Sequence, residues 1–157
     1  MKPRVYIETS VISYLTSKPS RDLIIAGHQR LTLDWWDREL PKFNAVVSPI
    51  VLDEVARGDP GAPAERLKVT ARMKLLPVDQ AVRQLAARYL GELGFPEIAK
   101  VDALHLAVAA FHAVDYLVTW NCRHIANGRI IKRLTEVNLG LDIATPVICT
   151  PEELMEY

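Results

Sequence analysis

The sequence predicts an α/β fold, with a parallel sheet of about five strands flanked by helices on both faces. Two observations lead there. Short runs rich in β-branched and aromatic residues, "RVYI", "NAVV", "KLLPV", "DYLVTW" and "PVIC", recur through the chain, and each successive pair is separated by a segment of helical length. Parallel neighbours need a crossover, usually a helix, so this alternation implies a parallel sheet covered on both sides.

The elements follow in order. "RVYI" reads as a short buried strand, and Ser10 is placed to N-cap the helical run "VISYL". "SKPSRD" breaks the chain, after which residues 22–39 keep helical spacing in Leu23, Ala26, Leu31 and Trp35. "NAVV" is the second strand. Ser48 and Pro49 then supply an N-cap and a first-turn proline for a helix that stops near Gly58, and "RGDPGAP" is a loop. A helix near 63–73 leads to "KLLPV". Asp79 caps an amphipathic stretch carrying Val82, Leu85, Ala86, Tyr89 and Leu93, which Gly94 ends. After Pro96, "EIAKVDALHLAVAAFHA" is apolar almost all round and reads as a buried helix. "DYLVTW" is the fourth strand, residues 129–139 form a helix after Gly128, and "PVIC" is the fifth strand. Thr150 with Glu153 makes a capping box for a short terminal helix. With no repeat, low-complexity tract or linker, one domain is expected over residues 1–157.

Composition narrows the function classes. The chain has 157 residues, enough to bury a core without disulfide or metal staples. Lysine plus arginine and aspartate plus glutamate balance at 19 each, so no global field announces a nucleic acid or anionic membrane, although a local basic rim would suffice for one. Cys122 and Cys149 lack disulfide-framework or zinc spacing, which fits a reducing cytoplasm. The first residues lack an apolar leader core, and no apolar run reaches the roughly 18 residues that span a bilayer. A cytoplasmic protein without a membrane partner is expected. There is no GxGxxG and no P-loop, so dinucleotide or NTP binding lacks its phosphate cradle.

In parallel sheets ligands gather outside the carboxyl ends of the strands, where the strand order reverses. With the common order 3-2-1-4-5, the first and fourth strands are neighbours. Glu8, ending the first, and Asn121, just past the fourth, would then meet. Asp102 lies in the early turns of the buried helix among Val101, Ala103, Leu104 and Leu106. Ionised and unpaired there, it would cost several kcal/mol, so it needs a cation, donors or water. Glu54, beside Asp53 and Arg57, reads on its own as part of a solvated face. Acids converging from separate elements repel unless something positive lies between them. Mg²⁺ or Mn²⁺ is the expected cofactor, since hard divalent ions take a few carboxylates together with substrate phosphate, and such an ion promotes phosphodiester hydrolysis.

Four segments, "VYIETSVISYL", "SPIVLDEVARG", "KVDALHLAVAA" and "LVTWNCRH", taken in that order, resemble the PIN-domain family of metal-dependent ribonucleases, particularly its VapC-like branch of type II toxin–antitoxin systems. The resemblance runs from Arg4 to about Thr150. It implies a PIN-like domain that cleaves single-stranded RNA endonucleolytically with Mg²⁺ or Mn²⁺. It also implies a small antitoxin from a neighbouring gene, whose segment covers the site, and a homodimer. By position, Glu8 falls where the family normally has an aspartate, Glu54 on its helical glutamate, Asp102 on its central aspartate, and Asn121 on a fourth place that is often aspartate. These four are the candidate catalytic residues, and Glu8, Glu54 and Asp102 the candidate metal ligands.

Two departures keep alternatives open. Glu8 is one methylene longer than aspartate, which moves its oxygens by about 1.5 Å. Asn121 removes one negative charge. A catalytically weakened or inactive PIN-like module that binds RNA or protein is one alternative, and a phosphoesterase acting on a small phosphate ester is another.

Remaining residues have plainer readings. His105 follows Asp102 by one helical turn and His112 follows two turns later, but no third ligand is spaced to complete a tetrahedral site, so core or surface histidines are expected. His124 with Arg123, Arg129, Lys132 and Arg133 is either a phosphate-contacting rim or a solvated helix face. Trp120 reads as packing in preference to a base-stacking platform. Thr9 and Ser10 could touch metal-bound water. Cys122 has no base paired with it, which leaves little case for a nucleophile.

Overall fold

The computed structural model describes residues 1–58 and 63–157; residues 59–62, the centre of the expected "RGDPGAP" loop, lie outside them. The sheet has five strands in the order β3-β2-β1-β4-β5: β1 (Arg4–Ile7), β2 (Asn44–Val47), β3 (Lys74–Leu75), β4 (Tyr116–Val118) and β5 (Val147–Cys149). Every pairing is parallel. The helices are α1 (Thr9–Thr16), α2 (Leu23–Arg38), α3 (Pro49–Ala56), α4 (Pro63–Thr70), α5 (Gln80–Glu92), α6 (Lys100–Phe111) and α7 (Gly128–Gly140). Among the described residues, no helix is long and apolar enough to cross a membrane.

The central strand shows why the pattern folds this way. Val5, Tyr6 and Ile7 are all fully buried, although successive side chains point to opposite faces, so helices cover both sides of the sheet. Burying each such side chain contributes about 1.5–3 kcal/mol. β1 pairs with β2 on one side and β4 on the other, which puts the reversal of strand order beside Ile7 and Val118.

Local chemistry shifts several boundaries from their expected places. β3 stops at Leu75, because Pro77 has no N–H to extend the ladder beyond the bond from Leu76 N to Val47 O at 2.8 Å. The buried helix begins only at Lys100, after a 3₁₀ turn over Glu97–Ala99, and ends at Phe111. Asp22 and Asp79 cap α2 and α5. Gly94 takes φ +67° just past α5, a left-handed conformation that glycine adopts without strain. The expected terminal helix is a 3₁₀ turn, Glu152–Leu154. Its capping box is present, with Thr150 N donating to Glu153 Oε1 at 3.0 Å and Glu153 N to Thr150 Oγ1 at 3.3 Å.

One expected cap is a different residue, and another keeps its place without a side-chain bond. Glu8, not Ser10, caps α1, its carboxylate accepting from Ser10 N at 3.2 Å. Ser48 precedes α3 but makes no side-chain cap; its hydroxyl turns into the core to meet the Tyr6 hydroxyl at 2.8 Å.

Candidate active site

The strand ends and helix starts around β1 and β4 carry two connected polar groups. The first is built on Glu8, whose backbone N–H still belongs to the sheet, donating to Val118 O at 3.1 Å. Its side chain is almost fully buried, and Oε1 accepts from the Ser10 and Thr119 hydroxyls at 2.5 Å each. Ser10 Oγ in turn accepts the Trp120 N–H at 2.8 Å, and Thr119 Oγ1 accepts the Asn121 N–H at 2.9 Å. The hydroxyls therefore fasten the acid at the end of β1 to the segment leaving β4.

The second group runs through the core. Glu54 Oε1 accepts from Thr9 Oγ1 at 2.7 Å and from His105 Nε2 at 2.5 Å. Its carboxylate is thus the orienting partner of a fully buried imidazole, where a solvated face was expected. His105 Nδ1 lies 2.7 Å from the Tyr6 hydroxyl, which continues to Ser48. Glu8 Oε2 lies 4.0 Å from His105 Nε2, so one imidazole faces both acids. Burial alone would lower the His105 pKa, but the Glu54 bond and the negative charges of Glu8, Glu54 and Asp102 outweigh it and hold it above the ordinary value. Burial alone would raise the Glu54 pKa, but the bond and charge of His105 and the Thr9 hydroxyl hold it below the usual carboxylate range.

Asp102 stands in the first turn of α6, partly exposed. Asn121 Nδ2 donates to its Oδ1 at 3.0 Å and His124 Nδ1 to its Oδ2 at 3.0 Å. These two donors answer its need for partners. Glu8 and Asn121 do not meet as expected from the strand order, because Thr119 Oγ1 stands between them.

The donor set suits a hard divalent ion. Single ligand atoms of Glu8, Glu54 and His105 lie within 4.8 Å of one another. Since a carboxylate only accepts, the His105 proton facing Glu54 is on Nε2, so the oxygens of Glu8 and Glu54 are the available ligands there. Each carboxylate has about four acceptor positions and uses only part of them. Asp102, the third ligand expected from the sequence, is not one of these three; its oxygens are with Asn121 and His124 in the neighbouring group.

His105, Tyr6, Ser48 and Thr119 are the polar partners that pattern reading did not place in the site. The sequence signals were a tyrosine inside a buried strand, whose hydroxyl needs a partner, and a histidine one turn after Asp102. His112 is apart from the site, with Nε2 against Pro77 O at 2.8 Å. Arg123, Arg129, Lys132 and Arg133 are all exposed, with Lys132 paired to Glu136 at 2.7 Å and Arg133 donating to Leu93 O at 3.1 Å. Trp120 packs as expected, donating Nε1–H to Thr32 at 2.7 Å and stacking on His28 with ring centroids 4.0 Å apart.

The PIN domain model matches residues 5–126, a span holding all four candidate residues. The chain belongs to the PIN domain family. Solved structures share its fold. FitAcB from Neisseria gonorrhoeae is 19% identical, with 94% of this chain and 98% of that one covered and a TM-score of 0.61. VapBC2 from Rickettsia felis, bound to a DNA fragment from its promoter, is 15% identical, with the same coverages and a TM-score of 0.54. VapC20 from Mycobacterium tuberculosis, a sarcin–ricin loop cleaving toxin, is 17% identical, with 72% of this chain and 86% of that one covered and a TM-score of 0.56. No curated protein matches the chain.

Proposed function

We propose that this PIN domain is a metal-dependent endoribonuclease of the VapC-like kind, the toxin of a toxin–antitoxin pair, acting on single-stranded RNA. The observation that carries the reading is the meeting of Glu8 and Glu54 at His105, beside Asp102, where the parallel order reverses. Glu8, Glu54 and Asp102 would hold Mg²⁺ or Mn²⁺, with Asn121 orienting Asp102. Bound there, the ion would polarise a phosphoryl oxygen and lower the pKa of an attacking water. The residues themselves contribute fixed geometry. His105 orients Glu54, Ser10 and Thr119 hold Glu8, and Asn121 and His124 hold Asp102, so the acids need little reorganisation when substrate arrives.

A cognate antitoxin and a homodimer belong to the same proposal. The likeness to FitAcB and VapBC2 supports the antitoxin, and a cytoplasmic setting accords with the two free cysteines. A second reading, a PIN-like module that binds RNA or protein without cutting, is favoured by the His105–Glu54 bond, which places an internal donor among the acids.

Wild type and Asp102→Asn are compared on mixed RNA with Mn²⁺, with Mg²⁺ and with a chelator. Cleavage should require the ion and fall at least about 100-fold in the variant, the scale of one essential catalytic group, while its thermal midpoint stays close to wild type. RNA binding without ion-dependent cutting selects the second reading.

A further inference from the structure

Residues 121–128 carry the chain from the end of β4 into α7, and hydrogen bonds fix them in place. Asn121 O accepts the N–H groups of Ile125 at 3.2 Å and Ala126 at 2.8 Å, and Asn127 Nδ2 donates to Cys122 O at 3.2 Å. Asn127 Oδ1 then caps α7, accepting from Arg129 N at 3.0 Å and Ile130 N at 3.3 Å. Asn121 Nδ2 and His124 Nδ1 each lie 3.0 Å from an Asp102 oxygen, which ties the segment to the acids. A firm support beside the candidate ion pocket therefore carries Arg123 and, in the first turn of α7, Arg129.

The lysine and arginine residues of this segment and of α7 are not equivalent. Lys132 is offset by Glu136 at 2.7 Å, and Arg133 Nη1 donates to Leu93 O at 3.1 Å. Among the described residues, the guanidinium groups of Arg123 and Arg129 have neither an ion-pair nor a hydrogen-bond partner, and both residues are exposed. Water satisfies an exposed guanidinium at little cost, so exposure alone asks for nothing. A polyanionic substrate does. Charge balances at 19 of each sign over the whole chain, and Glu8, Glu54 and Asp102 repel an approaching phosphate, so affinity has to come from cations near the acids whose charge no neighbouring acid offsets.

We propose that Arg123 and Arg129 bind phosphates of the RNA strand next to the one at the acids, so that the strand leaves the acid pocket over residues 121–128 and the first turn of α7, while Lys132 and Arg133 take no part. Arginine suits this place because its planar fork gives two parallel N–H donors to one phosphate. This inference rests on the RNA reading of the preceding subsection and adds the side on which the strand lies.

A fluorescent single-stranded oligoribonucleotide of mixed sequence is titrated in chelator, at several KCl concentrations, with wild type, Arg123→Gln, Arg129→Gln, Lys132→Gln and Arg133→Gln. Binding is followed by anisotropy, and cleavage is followed separately with Mn²⁺. Arg123→Gln and Arg129→Gln should each weaken binding about three- to ten-fold at low salt, the scale of one hydrogen-bonded contact. Each should also reduce the slope of log affinity against log salt by about 0.7, the single-strand value per phosphate, with an unchanged thermal midpoint. Lys132→Gln and Arg133→Gln should keep the wild-type slope. Arg123→Lys retains the charge and should restore the slope while recovering only part of the affinity. In wild type, the guanidinium ¹⁵N–¹H resonances of Arg123 and Arg129 should shift on adding the oligomer while those of Arg133 stay put, a readout independent of how any variant folds. Slopes unchanged in both arginine variants overturn the proposal, as do equal losses in all four glutamine variants, which describe a diffuse field instead of two contacts. Reduced slopes at Arg123 and Arg129 in a protein that never cuts leave this surface standing and remove the nuclease reading. Ion-dependent cutting with slopes indifferent to both arginines does the reverse.

Discussion

Tyr6→Phe removes one oxygen from the middle of the central strand. The hydroxyl is fully buried and is shared by Ser48 Oγ at 2.8 Å and His105 Nδ1 at 2.7 Å. Phenylalanine fills nearly the same volume, so packing is preserved and the loss is polar. Each buried group left without a partner costs about 1–3 kcal/mol, and two are stranded here, which gives about 2–6 kcal/mol. For a chain of this size that lowers the thermal midpoint by about 4–24 °C. Ser48→Ala leaves the Tyr6 hydroxyl its bond to His105 and should cost only about 1 kcal/mol. The double variant should cost less than the sum, since the stranded Ser48 hydroxyl is no longer there. Urea unfolding followed by circular dichroism measures all three. A Tyr6→Phe protein within about 0.5 kcal/mol of wild type, or strict additivity of the pair, would refute the reasoning that this relay is a connected buried network.

Two further predictions concern the acids. Stability in chelator should peak between the ordinary Glu54 and His105 values of 4.5 and 6.5. The raised His105 contribution is complete below 6.5 and fades as pH rises through its folded value, and the lowered Glu54 contribution is complete above 4.5 and fades as pH falls through its own. Urea midpoints across pH check this, and Glu54→Gln should flatten both limbs. Thr119→Val keeps shape but deletes the hydroxyl that donates to Glu8 and accepts from Asn121 N. It should destabilise by about 1–3 kcal/mol and weaken Mn²⁺ binding in calorimetry, whereas unchanged values for both would show that Thr119 does not position Glu8.

The strands and the helices between them were legible because they depend on local pattern: runs such as "NAVV" and the proline after Ser48 carry their meaning within a few residues, whereas the strand order came only from the order common to such sheets. The caps were less legible. Glu8 and Ser10 are both capping residues, and the choice between them is made by Thr119 and the Trp120 N–H, about 110 positions away, which draw Ser10 Oγ and Glu8 Oε1 into one cluster. The acids themselves stood out because a carboxylate is conspicuous in an apolar run, as Asp102 is. Their partners did not, because which hydroxyl faces which oxygen depends on the register of β1 against β4 and on the rotation of α3 and α6. Glu54 is the sharpest case. Its neighbours Asp53 and Arg57 describe a wet helix face, and only the packing of α3 against α6 turns it onto His105.

The two departures from the family pattern support each other. Glu8 serves both as the helix cap and as the tie to β4. Its carboxylate accepts the Ser10 N–H at the start of α1 and also reaches Thr119, a span that an aspartate, about 1.5 Å shorter, would not bridge without moving the backbone. Thr119 held in this way accepts the Asn121 N–H and fixes that residue beside Asp102. There an amide is the side chain that fits, for its N–H donates to Asp102 Oδ1 at 3.0 Å while its Oδ1 accepts from His124 N. An aspartate at 121 would offer no donor and would set two carboxylates face to face at that distance, which only an ion could reconcile. The longer acid at 8 and the amide at 121 thus build a site ordered by the protein's own hydrogen bonds, in a chain from Glu8 through Thr119, Asn121 and Asp102 to His124.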